Sequence, residues 1–113
     1  MPDLGFTVPL LACDCHMHIF GDPARYPPAA WRAYDPIEMP LSRYNAEAAR
    51  MGFGRVVFVQ PSAYGTDNAC LLDSLRARPG DSRGVAVIDD NTTAAMLDEM
   101  AALGVRGVRL NLV

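Results

Sequence analysis

Arg55-Val56-Val57-Phe58-Val59-Gln60 determines the class of fold to which this chain belongs. The four central residues are all apolar, as expected of a strand that is covered on both faces. Such strands occur in parallel sheets, whose faces are packed against helices. The sequence on either side of this run is therefore expected to supply helices that cross from one strand to the next.

Strand and helix patterns alternate along the chain around this run. Further strands are predicted over Val8–His18, Gly84–Ile88 and Val105–Leu112, and helices over Pro40–Met51, Asp67–Arg78 and Thr93–Leu103. Glycines are expected to end two of these helices, and polar residues to cap two of them. The expected stops are Gly52 and Gly104, and the expected N-caps are Thr66 or Asp67 and Asn91 or Thr92. The order βαβαβαβ predicts right-handed crossovers and one parallel α/β sheet.

Each predicted helix carries an apolar face that is expected to point into the core. These faces are formed by Leu41, Tyr44, Ala48 and Met51 in the first helix, by Leu71, Leu72 and Leu75 in the second, and by Met96, Leu97, Met100 and Leu103 in the third.

The number of strands relates this chain to a larger fold. Four strand–helix units make half of a (β/α)8 TIM barrel, which typically needs about 250 residues. The chain has 113 residues and ends inside or just after its fourth predicted strand. Residues 1–113 are therefore predicted to form strands 1 to 4, the N-terminal half of a TIM barrel in a larger enzyme. A small open four-stranded α/β domain is the alternative.

The composition excludes several kinds of partner and chemistry. The 10 basic residues are all arginine and are scattered, and the net charge is −3, so there is no electrostatic footprint for nucleic acid or an anionic membrane. Without lysine, the chain cannot supply a Schiff-base lysine or a carboxylated lysine that bridges two metals. No transmembrane or signal segment is predicted. Three cysteines form no secreted disulfide framework, which favours a cytoplasmic protein with reduced thiols.

Asp14-Cys15-His16-Met17-His18 closes the first predicted strand. Because side chains alternate between the faces of a strand, this motif is expected to present two different sides. One side holds Asp14, His16 and His18, and the other, packed against helices, holds Cys13, Cys15 and Met17. Two imidazoles at this spacing can share a metal ion or flank an anionic substrate. Since α/β sheets and barrels keep their chemistry at strand ends, the motif predicts an enzyme.

The fourth predicted strand also divides by face. Val108, Leu110 and Leu112 suit packing against helices, whereas Gly107, Arg109 and Asn111 belong to the other face. An arginine on an otherwise apolar face needs a partner. The functional interpretation is a substrate carboxylate held by the guanidinium fork, and the structural interpretation is an ion pair with Asp14 or Asp89. Asp89-Asp90 itself is interpreted as a cap or a solvated turn.

Two loops that follow strands hold the remaining polar and aromatic candidates. Ile19–Pro40 is rich in proline, and its aromatic residues either line a pocket or lid or belong to an ordinary covering loop. These aromatic residues are Tyr26, Trp31 and Tyr34. Gln60 and Ser62 share a face if the second strand continues that far. The turn at Gly65 leads into a helix N-terminus, which favours anions.

Four segments in this order resemble the amidohydrolase superfamily, and specifically its amidohydrolase-2 branch. The segments are His16-Met17-His18, Gln60–Asn68, Arg83–Val87 and Gly104–Asn111, and the resemblance runs over nearly the whole chain. The resemblance implies a (β/α)8 barrel and an enzyme of a group that includes lactonases, metal-dependent decarboxylases and sugar-lactone enzymes.

The resemblance also implies roles for individual residues. His16 and His18 would be catalytic residues at the mouth of the barrel, either as ligands of one divalent metal ion such as zinc or as substrate-binding groups of a metal-free lactonase. Tyr34, Ser62 and Arg109 match positions that bind a dicarboxylate substrate. The general-base aspartate and further histidines of the branch would lie beyond Val113. The chain alone is therefore expected to be catalytically incomplete and to need an oligomeric partner or a C-terminal half.

The predicted function is hydrolysis of a lactone, or of a related ester or amide bond, in a carboxylate-bearing small molecule. Among enzymes, a metal-dependent decarboxylase and a sugar-lactone isomerase are alternatives. The non-enzymatic alternative is a truncated half-barrel, or a module completed by a partner, that would associate through its open sheet edges.

Overall fold

The chain folds around one four-stranded parallel sheet. The computed structural model describes Asp3 and residues 5–111. The strands are β1 (Cys13–Met17), β2 (Arg55–Val59), β3 (Ser82–Val87) and β4 (Val105–Arg109), and the helices are α1 (Leu41–Met51), α2 (Ala69–Ala77) and α3 (Ala94–Leu103). The strands pair in parallel in the order β1-β2-β3-β4. The predicted βαβαβαβ order and the parallel α/β sheet are confirmed.

Local hydrogen bonds move the strand boundaries from their predicted positions. β1 begins at Cys13 and not at Val8, because the Ala12 N–H donates to the carbonyl of Pro9 at 3.0 Å and closes a turn. β3 begins at Ser82, two residues before the predicted start, because the carbonyl of Asp81 already accepts a hydrogen bond from β2. β4 ends at Arg109 and not at the predicted Leu112, which itself lies outside the described residues.

The helix ends agree with the predicted stops better than with the predicted caps. Gly52 and Gly104 follow α1 and α3 in the left-handed conformation, with φ of 85° and 116°, as expected of helix stops. The cap of α3 is Thr93, whose Oγ1 accepts from the Met96 N–H at 3.1 Å, so the prediction of Asn91 or Thr92 is wrong. α2 begins at Ala69 with Asn68 in the N-cap position, so the prediction of Thr66 or Asp67 is also wrong, although Asp67 accepts from the Ala69 N–H at 3.1 Å. None of the described helices is long and apolar enough to cross a membrane.

The apolar core lies between the helices and one face of the sheet. Its largest fully buried apolar side chains are Val56 and Phe58 of β2 and Leu75 of α2. Tyr44 of α1 packs edge-on against Phe58, with ring centroids 5.9 Å apart. The helices thus cover the face of the sheet at β2. Val108 and Leu110 are 51% and 64% exposed, so the prediction that they pack against helices is wrong.

Three of the predicted core residues are exposed. Met100 of α3 is buried and Leu103 packs against the core, but Met96 and Leu97 are 42% and 39% exposed. α3 packs against α2 and β4, and Leu97 borders an open groove beside β4. Met51, on the last turn of α1, is 37% exposed. The prediction that these three side chains point into the core is wrong.

Replacing Leu75 with alanine is expected to lower the free energy of unfolding by about 2–5 kcal/mol, because the truncation leaves a cavity in a packed site. Leu75 is 1% exposed. Urea unfolding followed by circular dichroism measures the loss. Leu110→Ala, at a side chain that is 64% exposed, is the control and should stay within about 0.5 kcal/mol of the wild type. Equal effects of the two substitutions would contradict the position of the core.

Candidate active site

A histidine and an arginine converge at the carboxyl end of β2. His18, directly after β1, lies with its Nδ1 2.7 Å from the carbonyl oxygen of Val59. Arg109, at the end of β4, donates from Nη1 to the carbonyl oxygen of Gln60 at 3.0 Å. Val59 and Gln60 are consecutive, so residues from the two outer strands are bound to one short segment of backbone. This segment lies at the edge of the sheet where α/β enzymes hold their substrates.

The two imidazole rings are neighbours, as their spacing predicted. The ring centroids of His16 and His18 are 5.0 Å apart, and the ring planes are nearly perpendicular. In the neutral ring, the contact with Val59 assigns the proton to Nδ1 of His18 and leaves the lone pair of Nε2 free. His16 is exposed and His18 is half-buried. Both rings therefore have nitrogen atoms that a ligand can reach.

Asp14 does not share the side of the histidines, so that prediction is wrong. Its Oδ2 accepts a hydrogen bond from the hydroxyl of Tyr44 at 3.0 Å, and Tyr44 belongs to the core beneath α1. Alternation fails because β1 contains a bulge: Asp14 pairs with Val56 and Met17 pairs with Phe58, so β1 advances three residues while β2 advances two. Burial and the hydrogen bond to Asp14 raise the pKa of Tyr44 well above its usual range, so this hydroxyl stays a donor at neutral pH.

The three cysteines lie in different environments. Cys15 is exposed and donates weakly to the carbonyl of Cys13, so the prediction that it packs against helices is wrong. Cys13 lines a cavity at the amino ends of the strands, beside Arg55 and Val57. Desolvation by burial is the main cause that raises the pKa of the Cys13 thiol. The buried cysteine is Cys70 of α2, whose thiol donates to the carbonyl of Ile19.

Arg109 lies on the predicted face but does not form the ion pair considered as its structural role. Ala86 belongs to the core and pairs with Val108, so the residues on either side of Val108, Gly107 and Arg109, lie on the face away from the helices. Asp14 is bound by Tyr44, and Asp89 accepts from a backbone N–H within its own turn, as its interpretation as a turn residue predicted. Among the described residues, no carboxylate forms a salt bridge with Arg109. The guanidinium therefore keeps donors for a ligand.

Two amide side chains, whose burial was not predicted from the sequence, shape the loop after β2. Gln60 is fully buried, and its Nε2 donates to the carbonyls of Gly65 and Asp67 at 3.1 and 2.8 Å. Asn68 bonds both the N–H and the carbonyl of Val87 at the end of β3. The sequence did contain a sign of this role. Gln60 directly follows an apolar strand and Asn68 directly precedes a helix, where a buried polar group needs a hydrogen-bond partner.

Ser62 lies in the loop that these amides hold. Because β2 ends at Val59 and Pro61 follows, the condition under which Gln60 and Ser62 would share a strand face is not met. Ser62 instead begins a 3-10 turn, half-buried and two residues from the carbonyl that binds Arg109. Ser62 therefore lies near, in the chain, to the carbonyl of Gln60 that binds the guanidinium of Arg109.

The proline-rich loop after β1 brings Tyr34 toward the histidines. Backbone hydrogen bonds in both directions between Phe20 and Met39 close the loop. Inside it, Tyr34 packs edge-on against Phe20, and both line a cavity of about 450 Å³ together with His18 and Glu38. Tyr34 is 43% exposed, so its hydroxyl is accessible.

The other aromatic residues of this loop attach it to the rest of the chain. Trp31 packs on Gly65, where an added Cβ would lie 2.7 Å from its ring. The hydroxyl of Tyr26 donates to Asp73 of α2, and desolvation together with this hydrogen bond raises the pKa of Tyr26 to about 12. Tyr26 also borders a separate cavity of about 660 Å³ that contains none of the predicted site residues. Of the three aromatic residues, Tyr34 is the one that lines the cavity beside His18.

The two histidines offer nitrogen ligands for a metal ion but do not complete a site by themselves. Catalytic zinc usually has three protein ligands. No group of three histidine, cysteine, aspartate or glutamate side chains suited to a metal occurs among residue 3 and residues 5–111. A divalent ion held by His16 and His18 would therefore need a further ligand from outside this set.

Comparison with known proteins identifies the family. A family model described as Amidohydrolase matches residues 13–113. The 2-pyrone-4,6-dicarboxylate hydrolase of Comamonas testosteroni is 36% identical over 108 residues, covering 96% of this chain and 35% of that protein. The 4-sulfomuconolactone hydrolase of Rhizobium radiobacter is 36% identical over 108 residues, covering 94% of this chain and 36% of that protein. The chain thus spans about a third of the length of the curated relatives it matches.

The solved structures agree with the fold. A Pseudomonas putida protein assigned as a 2-pyrone-4,6-dicarboxylic acid hydrolase superposes with a TM-score of 0.79 at 44% identity, covering 94% of this chain and 38% of that one. Four parallel strands joined by three helices, matched to this share of the relative, agree with the N-terminal half of a barrel. Because the family model covers most of the chain and the fold agrees with a solved relative, this chain belongs to the amidohydrolase family.

Proposed function

We propose that this chain forms strands 1 to 4 of a lactone hydrolase that acts on a carboxylate-bearing ring. The observation that carries the proposal is the joint attachment of His18 and Arg109 to the consecutive carbonyls of Val59 and Gln60. This attachment brings two functional groups to the carboxyl end of the sheet: an imidazole that can act on a carbonyl, and a guanidinium that forms no salt bridge among the described residues. The names of the relatives, 2-pyrone-4,6-dicarboxylate hydrolase and 4-sulfomuconolactone hydrolase, support the same substrate class.

Substrate binding is assigned to three side chains. Arg109 binds a substrate carboxylate, because the contact of Nη1 with Gln60 leaves the Nε–Nη2 edge of the guanidinium for a fork-like pair of hydrogen bonds. Ser62, two residues beyond Gln60, donates its hydroxyl to the same carboxylate. Tyr34 donates from the wall of the cavity that it shares with His18, and so orients the ring.

Carbonyl activation is assigned to the two histidines. His16 and His18 polarise the scissile carbonyl as negative charge develops on its oxygen, either by an imidazole N–H that donates to this oxygen or through a divalent ion that a ring nitrogen binds. Val59 fixes the ring of His18 through Nδ1, so Nε2 is the atom that faces the substrate. A divalent ion bound by both rings would supply Lewis-acid polarisation. The proton of the attacking water goes to a carboxylate, which the family resemblance assigns to an aspartate outside these 113 residues.

A substrate panel tests the proposal on the protein expressed from its own gene. The panel is 2-pyrone-4,6-dicarboxylate, 4-sulfomuconolactone and δ-valerolactone, a lactone without an anionic group. We expect kcat/KM for at least one anionic lactone to exceed that for δ-valerolactone by about 100-fold or more, because a site built to bind a polar group rejects analogues that lack it. Equal rates would remove the carboxylate-binding role. Release of carbon dioxide without ring opening would favour the decarboxylase alternative.

A further inference from the structure

The bulge in β1 decides which way the two histidines point. Asp14 pairs with Val56, and the next regular partner of Phe58 would be His16. Phe58 belongs to the helix-facing core, so a regular ladder would turn His16 and His18 toward the helices and Met17 away from them. In the structure Met17 is the partner of Phe58 and packs against the core. One extra residue in β1 therefore exchanges the faces of Met17 and the histidines.

The side chain of Asp14 holds this extra residue in place. Its Oδ1 accepts from the backbone N–H of His16 at 3.2 Å, across the bulge itself. Its Oδ2 accepts from the hydroxyl of Tyr44 at 3.0 Å. Tyr44 is 5% exposed and packs against Phe58, so the carboxylate is anchored to a rigid part of the core. The two oxygens connect the backbone of the bulge with α1.

We propose that Asp14 and Tyr44 are positioning residues that turn His16 and His18 toward the substrate side of the sheet. The importance of this positioning for catalysis rests on the proposed hydrolase function. The orientation of the histidines can be measured without an assay of activity. The positioning role and the proposed hydrolase function can therefore fail independently.

The test measures two reactivities in the protein expressed from its own gene. Diethyl pyrocarbonate modifies accessible histidines, and His16 and His18 are the 2 histidines of the chain. Hydrogen peroxide oxidises accessible methionines. In Asp14→Ala we expect modification of His16 and His18 to slow by about tenfold, the scale set by losing hydrogen bonds to one carboxylate, and oxidation of Met17 to accelerate by a similar factor. Tyr44→Phe, which keeps the ring and loses the hydroxyl, should change both rates in the same directions by less. Peptide mass spectrometry resolves each residue.

Two control variants separate reorientation from unfolding. Asp14→Asn keeps an oxygen for the His16 N–H and can donate to the hydroxyl of Tyr44, so it should restore the wild-type rates. Leu75→Ala loosens the core, and there the histidines and Met17 should become more reactive together. Unchanged rates in Asp14→Ala would overturn the proposal. A joint increase in Asp14→Ala and Tyr44→Phe, as in Leu75→Ala, would also overturn it, since Asp14 would then contribute stability and not orientation.

Discussion

Replacing His18 with alanine is expected to lower kcat for an anionic lactone by on the order of 10²–10³, the loss seen when one preorganised group that stabilises a developing oxyanion is removed. The expectation rests on the fixed position of the ring, whose Nδ1 lies 2.7 Å from the carbonyl of Val59. A residue that acts on the transition state should change kcat more than KM. Steady-state kinetics of the protein expressed from its own gene measure both constants.

The matched variant is His18→Asn. Its amide N–H can replace Nδ1 as the donor to Val59, but it has no counterpart of Nε2. We therefore expect His18→Asn to keep the fold, as judged by circular dichroism, and to be as slow as His18→Ala. Full activity in His18→Asn would show that only the contact with Val59 matters, and the catalytic assignment of His18 would then be wrong.

The order and the direction of the elements could be predicted from local patterns. The apolar run Val56–Val59 indicated a strand covered on both faces, and glycines at positions 52 and 104 marked two helix ends. These features depend on the residues within one element. The face of Arg109 could be predicted in the same way, because β4 alternates regularly from Gly107 onward.

The direction of Asp14 could not be predicted, because it depends on pairing with another strand. A bulge shifts every later side chain by one position, and nothing within Cys13–His18 distinguishes a bulged strand from a regular one. The exposure of Met96 and Leu97 has a similar origin. An apolar face on α3 predicts burial, but which neighbours are present to cover it depends on the tertiary structure.

The buried amides show a third limit of sequence reasoning. Gln60 and Asn68 look like ordinary polar loop residues, yet their side chains form the hydrogen bonds that hold the loop after β2. The carbonyls bound by Gln60 are 5 and 7 residues away, and Val87 is 19 residues from Asn68. Such partners become visible only when the loop is folded, and the position of Ser62 depends on them.

Replacing Arg109 with alanine is expected to raise KM for a carboxylate-bearing lactone by about 100-fold, because hydrogen bonds to a charged group are each worth about 1.5–3 kcal/mol and about 1.4 kcal/mol is tenfold in affinity. Arg109 forms no salt bridge among the described residues that a substrate would have to break. The effect should therefore appear mainly in binding. Arg109→Lys keeps the charge but not the planar fork, and we expect it to recover only part of the loss.

Two comparisons make this prediction specific to the carboxylate. The methyl ester of the same lactone lacks the negative charge, so the wild type and Arg109→Ala should handle it with similar KM values. Arg106→Ala is the matched protein control, because Arg106 belongs to the same strand but donates to the carbonyl of Ala101 on α3, away from the proposed site. If Arg106→Ala and Arg109→Ala raise KM alike, or if Arg109→Ala impairs the ester as much as the acid, Arg109 stabilises β4 and does not bind the substrate. An increase in KM that occurs only in Arg109→Ala, and only for the charged lactone, would show that Arg109, held by Gln60, binds the anionic group of the substrate.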